Sequence, residues 1–409
     1  MNADKSRLLL IGATTGYQTR TFAEAAERLG YELILATDRC HILDDPWADR
    51  ALPLRFEDPQ GAAQAMAKLG GIHGIVAVGD RPAYLAALAA EKLGMAYNSV
   101  DSVAACRDKF LAHERFRAAG LLVPEYNRVP ISDGPRGSLF YPCVLKPLGL
   151  SASRGVIRAN NPAEFEAAFR RIEKLLSDPD IARLRDPQNE FIQVESFIEG
   201  REFALEGILT RGQFRALAIF DKPDPLDGPF FEETIYVTPS RENAGTQRAI
   251  IETTEAAVRS LGLAHGPVHA EMRVNARGVW MLEVAARPIG GLCSRVLPGL
   301  EELILRHAAG EDVSTFPLRE EAAGVMMIPI AQEGIYTDVT GFEAARGIDL
   351  IEEVIITAKP GQKVAPLPEG SSYLGFIFAR GADPAAVEQA LRKSYQQLEF
   401  QILTALPVI

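Results

Sequence analysis

An open parallel α/β unit followed by α+β units is the fold class predicted for this 409-residue sequence. Residues 7–100 alternate short apolar runs with segments of helical spacing, the pattern of parallel strands joined by crossover helices. From about Tyr141 strands dominate, interrupted by isolated helices, which points to antiparallel sheets with helices on the side. The length also exceeds what one ordinary core serves, so about two or three domains are expected.

Taken in order, RLLLIGA reads as a strand leading into a Gly/Thr turn that holds Gly12 and Gly16. GATTGY lacks the GxGxxG spacing, so the turn reads as a tight bend before a helix, not a dinucleotide site. TFAEAAERLG is a helix closing at Gly30, ELILAT a second strand and GIVAVGD a third. PAYLAALAAEKLG is a second helix, with Pro82 at its start and Gly94 at its end, as helix punctuation favours. DSVAACRDKFLAHERFRAAG reads as one helix ending at Gly120, and an extended segment starts at Pro124.

The strand-rich part comprises YPCVLKPLGL, SRGVIRA, EFIQVESFI, EFALEGILTRGQFRALAIFDK and TIYVTP, with PAEFEAAFRRIEKLL as a helix among them. A helix around 244–262 precedes the hairpin VHAEMRVNARGVWMLEVAARP, and LEELILRHAAG follows it. Residues 322–409 add short strands and a final helix, PAAVEQALRKSYQQL, and read as a third unit. The expected domains are 1–105, 106–320 (a small lobe at about 125–200 and a large lobe at about 201–320) and 321–409.

Bulk properties exclude several classes. A formal charge of −11 and a pI near 5.2 leave no basic field for nucleic acid or an anionic membrane surface. The apolar run Leu8–Ile11 is too short for a leader or a membrane span, and no later segment reaches spanning length. Cys40, Cys106, Cys143 and Cys293 are scattered, so reduced thiols in a cytoplasmic protein are expected, with no disulfide framework or zinc site.

Three stretches carry chemistry. In VLKPLGLSASRGV, Lys146 ends an apolar strand, and Gly149, Ser151, Ser153 and Gly155 follow. Backbone N–H groups and hydroxyls of such a loop suit an anion, with Lys146 beside it; a hairpin turn with a solvated lysine explains the stretch as well. QVESFIEGREFALEG sets Glu195 in an extended connector whose backbone would suit an adenine edge, with Glu202 placed for ribose hydroxyls; taken alone, surface glutamates on a hairpin explain it better.

The third stretch is the hairpin. Glu271 and Glu283 alternate with apolar neighbours on their strands. A three-residue loop, Ala276–Gly278, with Gly278 in the left-handed position, pairs Asn275 with Val279 and Glu271 with Glu283. A two-residue loop would set Glu271 against Leu282 and mix the faces, so the first register is expected. Opposed carboxylates repel unless one is protonated, a salt partner intervenes or a cation lies between them; carboxylates completed by phosphate oxygens suit Mg²⁺. Arg287 projects from the same face and His269 flanks Glu271. A surface salt-bridge network of Glu271, Glu283, Arg273 and Arg287 is the plain alternative.

With RDKF at 107–110, VLKP at 144–147, VESFIEGREF and HAEMR…EVAARP in this order, nearly the whole chain resembles the ATP-grasp superfamily. GVMMIPI and LPEGSSYLGFIFARG resemble the last domain of its L-amino-acid ligase branch, whose members form dipeptides. The resemblance implies the ATP-grasp fold, with an N-terminal open parallel-sheet domain and a C-terminal α+β domain. It implies ATP and Mg²⁺, with Mn²⁺ as an alternative ion, and small carboxylate and amine substrates such as amino acids. No nucleic-acid or membrane partner is expected; a homodimer is.

By residue, the resemblance implies that Lys109 and Lys146 contact ATP phosphates and that Ser151, Ser153 and Gly155 lie in the loop closing over them. Glu195, Phe197 and Ile198 would hold adenine and Glu202 the ribose. Glu271 and Glu283 would bind metal. Arg287 and Lys146 would act on the reacting groups, Arg287 steadying the acyl-phosphate and tetrahedral intermediate. His269 and Arg273 would lie near metal and substrate. Glu233, in the large loop Asp221–Ser240, would line the substrate pocket, though a Pro-rich surface loop without substrate contact explains the stretch equally; Gly290 and Gly291, being small, would leave room for a side chain. Many relatives have Asn two residues past the second glutamate; here Ala285 stands there. The implied reaction is ATP-dependent amide formation through an acyl-phosphate. The alternatives are ATP-grasp action on another small carboxylate, including carboxylation, and non-catalytic ATP binding.

Overall fold

The structure is a computed structural model that describes residues 6–13, 17–38, 51–138, 140–183, 185–317 and 321–404. Gly16 and Cys40 lie outside them. The chain opens with β1 (Arg7–Gly12), α1 (Thr19–Leu29), β2 (Glu32–Thr37), β3 (Ala51–Pro53), α2 (Pro59–Ala67), β4 (Gly74–Val78) and α3 (Asp80–Leu93). The four strands pair in parallel in the order β3-β2-β1-β4. Near-continuous apolar runs form β1, β2 and β4 because both faces are covered. Gly30 and Gly94, at φ 71° and 65°, close α1 and α3 in the left-handed conformation expected of them.

One local expectation is extended and one corrected. Two elements, β3 and α2, add to those expected, and the Asp58 side chain caps α2 by accepting from Gly61 N. The single helix expected over 101–120 is two, α4 (Val100–Arg107) and α5 (Lys109–Ala118). Asp108 ends the first in an extended conformation and caps the second by accepting from Leu111 N at 3.1 Å. The break makes Lys109 the first residue of a fresh helix.

A small antiparallel sheet follows, built from β5 (Tyr126–Pro130), β6 (Cys143–Pro147), β7 (Ile157–Ala159) and β8 (Phe191–Ser196) in the order β5-β8-β6-β7. Between β7 and β8 run α6 (Pro162–Leu176) and the short α7 (Pro179–Ala182). Phe165, Phe169 and Ile172 of α6 pack on Leu145, Ile192 and Val194, the apolar stripe of an amphipathic helix meeting one sheet face.

Next come β9 (Arg201–Thr210), β10 (Gln213–Lys222), β11 (Ile235–Thr238), α8 (Ala244–Leu261), β12 (Gly266–Asn275), β13 (Gly278–Ala285) and α9 (Leu300–Ala308). The last stretch holds β14 (Ala322–Ile328), β15 (Gly334–Thr340), α10 (Phe342–Arg346), β16 (Ile351–Ile356), β17 (Lys363–Val364), β18 (Gly375–Gly381), α11 (Pro384–Tyr395) and β19 (Glu399–Leu403). One eight-stranded sheet, β13-β12-β9-β10-β11-β14-β18-β16, runs across both stretches, and β17-β15-β19 form a separate small sheet. The large sheet shares a core with the N-terminal unit, where Leu9, Ile11 and Ala86 join Met272 and Met281. This packing brings the N-terminus of α3 and the end of β13 together. Among the described residues no helix is long and apolar enough to cross a membrane.

Candidate active site

The β12–β13 hairpin sets Glu271 directly opposite Glu283, as expected, but by another route. Asn275 pairs with Gly278, so the loop has two residues, Ala276 and Arg277. Val274, Arg273 and Met272 then pair with Val279, Trp280 and Met281. A bulge between Met272 and Glu271 absorbs Leu282 and restores the alternation. The expected Asn275–Val279 pairing and the left-handed loop role of Gly278 are therefore corrected. Gly278 instead opens β13 at φ 130°, a backbone conformation that favours glycine, and an added Cβ would also meet the Leu122 side chain at 3.2 Å.

Each carboxylate has its own cation. Glu283 accepts Lys109 Nζ at 3.1 Å. Glu271 lies 3.2 Å from Lys222 Nζ and 3.2 Å from His269 Nε2. Burial would raise the Glu271 carboxyl, but Lys222 and His269 outweigh it and hold it well below the usual range. Burial likewise opposes charge on Lys109, and Glu283 overrides it, so the ammonium is held more firmly than usual. Salt partners thus relieve the repulsion that led to the expectation of a cation between the two carboxylates.

Lys222 was missed in the sequence. Its ammonium, 2% exposed, reaches Glu202 at 3.0 Å and Glu233 at 2.5 Å as well as Glu271. Those three carboxylates are grouped closely enough to hold a metal ion, and the lysine stands among them as the cation. Burial and the neighbouring Glu271 push the Glu233 carboxyl up to about 7, with Lys222 opposing them. The DK pair that closes the strand run EFALEGILTRGQFRALAIFDK was the available signal. Glu202 also accepts Arg273 Nε at 2.9 Å.

On the other side of the hairpin, Arg287 donates Nε to Asp80 Oδ1 at 2.9 Å and Nη2 to Oδ2 at 3.4 Å. Asp80 is the first residue of α3. Burial opposes its charge, but Arg287 overrides this and lowers the carboxyl. His269 Nδ1 meets the fully buried Glu206 at 2.5 Å. Burial disfavours charge on His269, and Glu206 outweighs it, raising the imidazole to about 9. Ala285 is buried and stands opposite His269.

The connector after β8 borders a cleft of about 480 Å³ lined in part by Arg158, Phe197, Glu202 and Lys222. The Phe197 ring lies under the guanidiniums of Arg158 at 4.0 Å and Arg273 at 5.0 Å. Ile198 O accepts Arg273 Nη1 at 2.8 Å. A cleft with one aromatic ring, flanking guanidiniums and carboxylates at its edge has groups that suit a nucleotide.

Comparison with known proteins identifies the family and the fold. The family model for the ATP-grasp domain matches residues 139–296, the ATP-grasp N-terminal domain 23–96, and the L-amino acid ligase C-terminal domain 326–402. The crystal structure of an L-amino acid ligase from Bacillus licheniformis superposes with a TM-score of 0.84 at 25% identity, covering 98% of this chain and all of that one. The chain is an ATP-grasp ligase. An ATP-grasp enzyme of Aspergillus fumigatus is 24% identical over 93% of this chain and 76% of its own length. Dapdiamide A synthase of Enterobacter agglomerans is 26% identical over 47% of this chain and 45% of its own.

Within this ATP-grasp ligase several expected side chains are otherwise engaged. Glu195 is buried; its carboxylate takes Lys146 Nζ at 2.6 Å and Gln193 Nε2 at 2.7 Å. Burial would raise it, but Lys146 and His113 outweigh this and keep it lowered. The expectation that its side chain holds adenine is corrected: it orients Lys146. Gly155, expected to turn its N–H toward an anion, donates it to Pro368 O at 2.9 Å. Ser151 is exposed and Ser153 half-buried, the latter at φ 54°. Glu233 belongs to the Lys222 cluster, and its loop packs inward, Phe231 lying 6.4 Å from Phe197.

Gly290 and Gly291 differ. A Cβ on Gly290 would meet open space, whereas Gly291 is left-handed at φ 61° and its Cβ would meet Phe376 at 3.3 Å. Only Gly290 has the free room expected of both; Gly291 serves the backbone turn.

Proposed function

We propose that this ATP-grasp ligase joins amino acids, converting one substrate carboxylate to an acyl-phosphate with ATP and releasing ADP, phosphate and a dipeptide. The observation that carries the reading is the meeting of Lys109, the Glu271–Glu283 pair and the Asp80-held Arg287 where the start of α3 meets the end of β13. Lys146, held by Glu195, and Lys109 supply positive charge for phosphate oxygens. Little covalent chemistry falls to the protein in such a transfer, so fixed charges carry most of the catalysis.

Glu271 and Glu283 are paired hard-oxygen donors, still partly open to solvent, and they suit Mg²⁺. A bound Mg²⁺ neutralises charge on the transferring phosphoryl group. Ala285 adds no ligand there. Arg287, its direction set by Asp80, faces the developing charge when the amine attacks the acyl-phosphate. The cleft beside Phe197 takes the base, and Glu202 the ribose. Gly290 leaves space for a substrate side chain.

A phosphate-release screen over all amino-acid pairs, with mass detection of the product, tests this directly. Dipeptide formation coupled to phosphate release is expected; silence with every pair would overturn the amino-acid reading. Glu283→Gln should cut turnover by at least about 10²-fold with an unchanged melting profile, and retained activity would remove Glu283 from the site.

A further inference from the structure

The segment after β17 reaches across to the small lobe. The Glu369 carboxylate takes both arms of Arg171, on α6, at 2.6 and 2.8 Å. The Glu369 carbonyl accepts Arg154 Nε at 2.8 Å, and the Pro368 carbonyl accepts the Gly155 amide at 2.9 Å. Two consecutive residues of the C-terminal domain therefore hold the end of the Ser/Gly loop and the helix behind it. Arg171 also covers the ring of Phe230, from the large loop, at 5.0 Å.

We infer that Glu369 is a positioning residue: it latches the loop that follows Lys146 in its closed place, so that the acyl-phosphate meets the amine before it meets water. This rests on the ligase reading above. The ion pair is half exposed, so its stabilising energy is small. Its two-armed geometry fixes direction, and it turns the Glu369 and Pro368 carbonyls onto Arg154 and Gly155. The loop's own bonds are local, Arg154 N to Ser151 O at 3.3 Å and Val156 N to Ser153 O at 3.1 Å, and its tip is open: Ser151 and Ala152 are exposed, and Ala152 and Ser153 are both left-handed. Released, the loop would admit water, which attacks the acyl-phosphate carbonyl and returns free carboxylate plus phosphate.

Two readouts test it. In Glu369→Ala, trypsin cleavage after Arg154, scored by fragment mass without any substrate, should be faster on the order of fivefold. With the most active amino-acid pair, phosphate released per amide formed should rise to about three or more. Arg171→Ala, on a helix surface, should reproduce both effects, and Glu369→Gln should fall between. Arg170→Ala, whose partner is Glu173, is the control and should leave both unchanged. Wild-type cleavage, or a wild-type ratio, in both Glu369→Ala and Arg171→Ala overturns the latch. A wild-type enzyme silent with every pair would sink the ligase reading instead, while the cleavage arm still decides whether the latch exists.

Discussion

Arg287 and Asp80 lie 207 residues apart and meet at 2.9 Å, a clasp between the N-terminus of α3 and the chain just past β13. The aspartate also takes a second guanidinium nitrogen at 3.4 Å. A two-pronged carboxylate fixes both the charge and the plane of the arginine. The start of α3 thus sets the angle of a side chain carried by the large sheet.

Loosening that clasp should misplace Arg287 without emptying the nucleotide seat. Asp80→Asn is expected to lower kcat on the order of 10²-fold while the KM for ATP stays within about threefold. Steady-state kinetics checks this; a raised KM with unchanged kcat would mean that Asp80 serves nucleotide binding instead.

Lys222 holds three carboxylates together from a buried position. Lys222→Met keeps the bulk and removes the charge, leaving Glu202, Glu233 and Glu271 to repel one another. The loss should be about 3–5 kcal/mol in urea unfolding. Added Mn²⁺ should restore part of it in the variant and much less in the wild type. Equal stability of the two proteins would show that the cluster does not need the lysine.

The two glycines after Arg287 should separate by phenotype. Gly290→Val enters open space and should keep the fold while excluding larger side chains from the accepted amino acids. Gly291→Ala forces a side chain into left-handed backbone beside Phe376 and should cost about 1–2 kcal/mol. Thermal melts and a substrate panel distinguish them; an unaltered panel for Gly290→Val would remove it from the substrate pocket.

His307 stacks on His265 with ring centres 4.3 Å apart and shares a hydrogen bond with Thr210 at 3.0 Å. Burial, and then His265, lowers its pKa from 6.5 to about 4. The folded state therefore binds fewer protons than the unfolded state between these values. Its contribution is intact above pH 6.5 and is lost as pH falls toward 4, with a slope of at most about 1.4 kcal/mol per pH unit. Urea unfolding from pH 7 to 4.5 should show a steeper loss for wild type than for His307→Gln. Parallel curves would count against a buried neutral imidazole.

Much of this was legible in the sequence. Gly30 and Gly94 marked helix ends because only glycine takes the left-handed cap at little cost. Strand alternation put Glu271 and Glu283 face to face, although Leu282 reached that result through a bulge. What misled was local: Asp108 passed for a helical residue between two helices it in fact separates. A capping side chain is a contact, and spacing alone does not display it.

From the sequence alone came the fold class and the carboxylate pair, because periodicity and turn chemistry are properties of neighbouring residues. Only the tertiary structure decided which charges meet. It gave Lys222 to three glutamates, Asp80 to Arg287, Glu195 to Lys146 rather than to a base, and Pro368 to Gly155. Charge pairing depends on distance through space and on burial, and both are set when separate sheets pack, long after the local pattern has done its part.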